Sequence, residues 1–195
     1  TELTQNNTYA EVASLIITNS LDDKDYKKSF AKYYLEISKD KNLNNLLDEI
    51  KQKLHPMDVV RTIVSYKGEL TTLRKQKLDL EDKIELSSRI NATVCYIIAS
   101  YHQENCDKLD NEFLVASSLL PNNSSREKLE ALDDMLILYA EHGFNASTFA
   151  TRVTASTRAD LTGAIVSGIA TLKGELHGGA NERAVELIDS FNTVE

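Results

Sequence analysis

The chain has 195 residues, enough for one domain with a substantial core or for most of a larger one. Seven glycines, two prolines and no tryptophan are too little punctuation for a sheet protein, and the prominence of Leu, Lys and Glu favours an all-α fold. A formal net charge of −8 excludes the basic surface that nucleic acid requires. No apolar run approaches the ~20 residues of a membrane span and the polar start Thr1-Glu2-Leu3-Thr4 is no signal peptide, so no membrane partner is expected and a cytoplasmic location is. Cys95 and Cys106 stand alone without Cys/His metal spacing, which fits a reducing compartment and predicts no metal. The absence of an initial methionine and the end directly after an amphipathic helix suggest a partial protein, residues 1–195 being read as one helical unit.

Thr8 with Glu11 forms a capping box, and Val12, Leu15 and Ile16 share a face behind it, so a first helix is expected near 8–19. Tyr26, Phe30, Tyr33 and Tyr34 mark a second amphipathic helix from Asp22 to Ile37, and Leu43, Leu46, Leu47, Ile50 and Leu54 a third from Asn42 to Leu54. Pro56 is placed as a first helical residue, with Val59, Val60, Ile63 and Val64 buried behind it and Gly68 ending the run. Residues 69–83 read as a connector into a long helix whose buried side is Ile90, Val94, Ile97, Ile98 and Tyr101. Gln103 to Asp110 is a polar break, Phe113 to Leu120 another helix, and Pro121-Asn122-Asn123-Ser124-Ser125 a loop. Leu129 to Tyr139 then leads to His142. His55 is expected to be packed beside Pro56, and His102 to face solvent.

Between positions 138 and 181 lie two of the four histidines and six of the seven glycines. Glycine lets main-chain N–H groups approach a ligand, and histidine can act as acid, base or cation near neutrality. His142 follows a helix and precedes Gly143, a residue type favoured just past a helix end. The negative end of that helix favours an imidazolium able to meet a carboxylate. Asn145 suits the N-cap of the next helix, with Ser147 in its first turn, where the hydroxyl can face a neighbour. Ala155, Ala159, Gly163, Ala164, Ser167, Gly168 and Ala170 then allow close backbone packing. His177-Gly178-Gly179 precedes a helix from Ala180 to Ile188, whose positive end favours a neutral imidazole. Such a group can donate one hydrogen bond to a carbonyl as it becomes an enol. The plainer reading of both histidines is a cap or a packed side chain. Glu141-His142 lacks the HExxH spacing and third ligand of a zinc hydrolase.

The string from Tyr139 to Phe149, then Arg152-Val153, and Leu176-His177-Gly178-Gly179-Ala180-Asn181-Glu182 resemble the citrate synthase family, and His55-Pro56-Met57-Asp58-Val59-Val60-Arg61-Thr62 is similar to a third, structural signature. The resemblance implies a multi-helical large domain in a homodimer, with a small domain absent or incomplete in this chain and expected downstream of 195. It implies condensation of oxaloacetate with an acyl-CoA and release of free CoA, acyl-CoA being a substrate and no cofactor being needed. By resemblance, His142 binds an oxaloacetate carboxylate in a pocket that Asn145 lines. His177 stabilises the acyl-CoA enol, Ser147 orients it, and Gly178 and Gly179 support it. Tyr139-Ala140-Glu141-His142 with Phe144-Asn145 is closer to 2-methylcitrate synthases, so propionyl-CoA is favoured over acetyl-CoA, though one methylene is worth only ~1–3 kcal/mol. Glu175 stands where the family usually has proline. The family's catalytic aspartate, third histidine and arginines are expected beyond Glu195, so this chain alone is expected to be inactive. The competing class is a non-catalytic helical dimer kept for assembly or regulation.

Overall fold

The computed structural model describes residues 2–68, 78–102, 107–140 and 143–191. Among them the secondary structure is helical, without strands: α1 (Glu2–Asn6), α2 (Tyr9–Thr18), α3 (Lys24–Ser38), α4 (Lys41–Ile50), α5 (Pro56–Lys67), α6 (Leu80–Ala99), α7 (Leu114–Leu119), α8 (Arg126–Ala140), α9 (Ala146–Ser156), α10 (Leu161–Leu172) and α11 (Gly178–Asp189). They belong to two compact units, one of residues 1–59 and 73–143 and the other of residues 60–72 and 144–195, with the division running through α5.

The first unit is organised by aromatic rings on α3. Tyr26, Phe30, Tyr33, Tyr34 and Ile37 recur at three- and four-residue steps and are buried together. Phe30 stacks on Tyr34 at 6.0 Å, and Tyr34 meets Tyr96 edge-on at 5.6 Å. Four phenol hydroxyls find partners: Tyr34 donates to the Ser118 carbonyl (3.1 Å), Tyr96 to Asn44 Oδ1 (2.8 Å) and Tyr33 to Glu85 Oε1, and Tyr26 accepts from Asn91 Nδ2 (2.9 Å). These rings explain why the buried face of α6 differs from the expected one. Opposite the large side chains of α3, α6 presents mostly small ones: it buries Ser88, Ala92, Thr93, Cys95 and Ala99 with Leu86 and Ile97, while Ile98 and Tyr101 are exposed and Ile90 and Val94 half-buried.

Local signals set most helix ends. Thr8 N–H donates to the Glu11 carboxylate at 2.7 Å, closing the expected capping box. Asp40 caps α4 through Leu43 N–H (3.0 Å), but α4 ends at Ile50 and Leu54 is exposed, shortening the expected helix. Asp79 and Asp82 exchange backbone bonds at 2.9 and 3.1 Å, which starts α6 at Leu80, inside the expected connector. Pro56 opens α5 as expected, yet His55 is exposed rather than packed, its Nδ1 accepting the Met57 N–H at 3.2 Å. His102 is exposed, and its Nε2 donates to the Leu119 carbonyl at 2.7 Å. Cys95 is buried, which pushes its thiol up to about 12; Cys106 and residues 69–77 of the expected connector lie outside the described residues.

The second unit packs on small residues. Ala164 and Gly168, one turn apart, are the buried pair of α10, and the α5 residues of this unit bury Val60, Ile63 and Val64. A Cβ on Gly168 would collide with the Thr151 side chain of α9 and come 3.4 Å from the Ser147 carbonyl, so the two backbones approach closely only because glycine stands there. Thr154 Oγ1 donates to Ser167 Oγ at 2.8 Å across the same seam.

Candidate active site

Asn145 caps α9 as expected: its Oδ1 accepts the Thr148 N–H at 2.7 Å. Ser147 follows in the first turn, with its hydroxyl 2.8 Å from that same Oδ1. Thr151 Oγ1 donates to the Ser147 carbonyl at 2.9 Å, holding this turn against the seam with α10.

The other half of the site is the turn joining α10 to α11. The Gly174 carbonyl accepts two N–H groups, from His177 at 2.9 Å and Gly179 at 3.2 Å. His177 is thereby fixed just ahead of α11 with non-helical backbone. Gly178 opens α11, two residues before the expected start, and a Cβ there would run into the Leu172 carbonyl. Glu175 pairs with Arg183 of α11, an exposed ion pair that spans the turn. That pairing gives Glu175 a local use; sequence periodicity does not reveal it, because a turn intervenes between the partners.

Within this unit His177 and Ser147 meet: Nε2 lies 3.2 Å from Oγ, both side chains half-buried. Three residues singled out in the sequence, Asn145, Ser147 and His177, therefore stand in one hydrogen-bonded line. His142 lies outside the described residues; Gly143, next to it, has φ +96°, a backbone that favours glycine. A groove of about 460 Å³ in the first unit is lined by Lys28, Lys32, Tyr33, Glu81 and Glu85 and contains none of these site residues. Among the described residues no group of three His, Cys, Asp or Glu side chains is placed to hold a metal, and no helix is long and apolar enough to cross a membrane.

The family model described as citrate synthase, C-terminal domain, matches residues 1–195. The chain belongs to the citrate synthase family. It is 34% identical over 202 residues to the 2-methylcitrate synthase of Shewanella oneidensis, a match covering 97% of this chain and 52% of the relative. To the citrate synthase of Deinococcus radiodurans it is 35% identical over 161 residues, covering 78% and 42%. Among solved structures, the citrate synthase of Pyrobaculum aerophilum superposes with TM-score 0.69 at 28% identity, covering 95% of this chain and 50% of that one. That of Thermoplasma acidophilum, a ternary complex with carboxymethyl coenzyme A and oxaloacetate, gives 0.79 at 23% identity, covering 98% and 52%, and speaks for the fold alone. The chain spans about half the length of the curated relatives it matches. The expected all-α, citrate-synthase-like architecture is thus the observed one.

Proposed function

We propose that the full-length protein condenses oxaloacetate with a short acyl-CoA and releases free CoA, with propionyl-CoA the preferred acyl donor and acetyl-CoA the second. Support comes from one observation above all: in a chain of this family, His177 is tied at 3.2 Å to Ser147 and held at the start of α11. A neutral imidazole there donates an N–H, from the ring nitrogen that Ser147 does not occupy, to the acyl carbonyl. The bond strengthens as the α-proton leaves and the carbonyl oxygen gains enolate charge, so it stabilises the transition state more than the ground state. His142 is assigned to an oxaloacetate carboxylate, with Asn145 lining that pocket. The base is assigned to a residue beyond these 195, and a 195-residue chain assayed alone is expected to be inactive. The protein acts as a homodimer in the cytoplasm; its exposed apolar side chains Phe144, Phe149, Val153 and Leu161 on and around α9 and α10 fit a partner copy.

The deciding experiment measures thiol release by the full-length protein with oxaloacetate and each acyl-CoA, beside two variants. His177→Ala is expected to lower turnover by ~10²–10³ while oxaloacetate affinity holds. Equal losses in both would make His177 structural. His142→Ala is expected to weaken oxaloacetate binding before chemistry begins, and an unchanged affinity in a folded dimer would leave it a helix-end cap.

A further inference from the structure

A hydroxyl has one proton to give, and at the start of α9 two acceptors compete for it. Asn145 Oδ1 accepts the Thr148 N–H at 2.7 Å, which fixes the amide: turned over, its NH₂ would face a backbone N–H. Ser147 Oγ lies 2.8 Å from that Oδ1, an atom with lone pairs only, so the serine proton is committed to Asn145. His177 Nε2, 3.2 Å from Oγ, then faces lone pairs, and their hydrogen bond requires Nε2 to be the donor. A neutral imidazole protonated on Nε2 leaves Nδ1 an acceptor.

We propose that Asn145 is a positioning residue that acts through Ser147 on His177: in the unliganded protein it holds the serine proton and thereby keeps His177 as the Nε2–H tautomer. The catalytic meaning of this lock rests on the reading of His177 as donor to the enol oxygen. Nε2 is taken up by Ser147, so Nδ1 is the nitrogen left for substrate, and it must carry a proton to donate. One proton therefore leaves Nε2 to water and another reaches Nδ1 from water, with no change in net charge. Ser147 keeps its own proton and swings it from Asn145 Oδ1 to Nε2. The acyl carbonyl, an acceptor set against Nδ1, favours the second arrangement, so the donor is armed by the substrate it serves.

The test reads the His177 tautomer by nitrogen-15 resonance in the full-length, histidine-labelled protein without substrate, above the titration of the ring. His177→Gln identifies the signal. The wild type is expected as Nε2–H. Asn145→Gly removes the competing acceptor while leaving a residue that starts helices nearly as well. It is expected to move the tautomer ratio toward Nδ1–H by roughly fivefold, the worth of one neutral hydrogen bond. Asn145→Asp keeps both the cap and the acceptor and should hold Nε2–H. On a Ser147→Ala background Asn145→Gly should change nothing. A wild type resting as Nδ1–H, an unmoved ratio in Asn145→Gly, or a shift that survives Ser147→Ala would each overturn the lock. Because the ratio is read without substrate, retained turnover in His177→Ala would overturn the enol-donor reading alone and leave the tautomer result standing.

Discussion

Two helix seams of this chain, α3 against α6 in the first unit and α9 against α10 in the second, solve the same packing problem with opposite materials. The first buries Tyr26, Phe30, Tyr33 and Tyr34 and lets small residues of α6 make room for them. In the second unit, the α5 residues bury Val60, Ile63 and Val64, but α9 and α11 bury no residue and α10 buries only Ala164 and Gly168. Bulk provides stability through area removed from water, whereas small residues provide proximity, letting backbones and short polar side chains meet. The hydrogen-bonded line from Asn145 through Ser147 to His177 lies in the unit built for proximity.

The sharpest way to break that contrast is to remove bulk from the first unit. Phe30 is 0% exposed, and Phe30→Ala is expected to destabilise by ~3–5 kcal/mol in denaturant unfolding. A loss near that expected for a surface site would mean the ring cluster is not the first unit's core. In the second unit, adding bulk should do the harm. Gly168→Ala drives a methyl into the Thr151 side chain and is expected to destabilise by ~1–3 kcal/mol, much of it restored by Thr151→Ala in the same chain. Simple additivity of the two changes would place the clash elsewhere.

A third expectation concerns Asp133, a buried carboxylate of the first unit that accepts the Tyr9 N–H at 2.7 Å. Burial raises it to about 6 from the ordinary 3.8; Asp134 and Glu11 push the same way, the Tyr9 hydrogen bond and Lys27 the other. The folded state therefore holds its proton more tightly than the unfolded chain, and stability falls as pH rises from about 4 through 6, then levels. Asp133→Asn keeps an acceptor for Tyr9 without a charge to desolvate. It should match the wild type near pH 4 and exceed it above pH 6 by ~1–2 kcal/mol in thermal unfolding at both pH values. The smallest effect is expected at the exposed Glu175–Arg183 pair: Glu175→Gln should change stability by less than ~0.5 kcal/mol, and by less still at high salt.

Caps and rings were legible from residue order because their causes are local. The Thr8/Glu11 box, Asn145 as N-cap and the α3 aromatic stripe each involve residues within one or two turns. The inner side of α6 was not legible, because Ile98 and Tyr101 lose to Ala92 and Ala99 only once rings from another helix occupy the space. The site divides the same way. Residue order put Ser147 in a first turn and His177 before a helix, but their meeting thirty positions apart depends on how closely Gly168 lets α9 and α10 approach. Asn145's second bond, to the Ser147 hydroxyl, sits at a spacing of two and could have been anticipated from the capping geometry.

Two glycines bracket the candidate site for unlike reasons, and handedness separates them. Gly143 has φ +96° and nothing within 4 Å of the position a Cβ would take, so its demand is for a backbone that L-residues avoid. Gly178 has no such backbone, but a Cβ there would strike the Leu172 carbonyl. In a chemically ligated chain a mirror-image alanine should therefore be accepted at 143, where its stereocentre suits the dihedral. At 178 the objection to L-alanine is one of space instead, since its methyl would strike the Leu172 carbonyl whatever the dihedral.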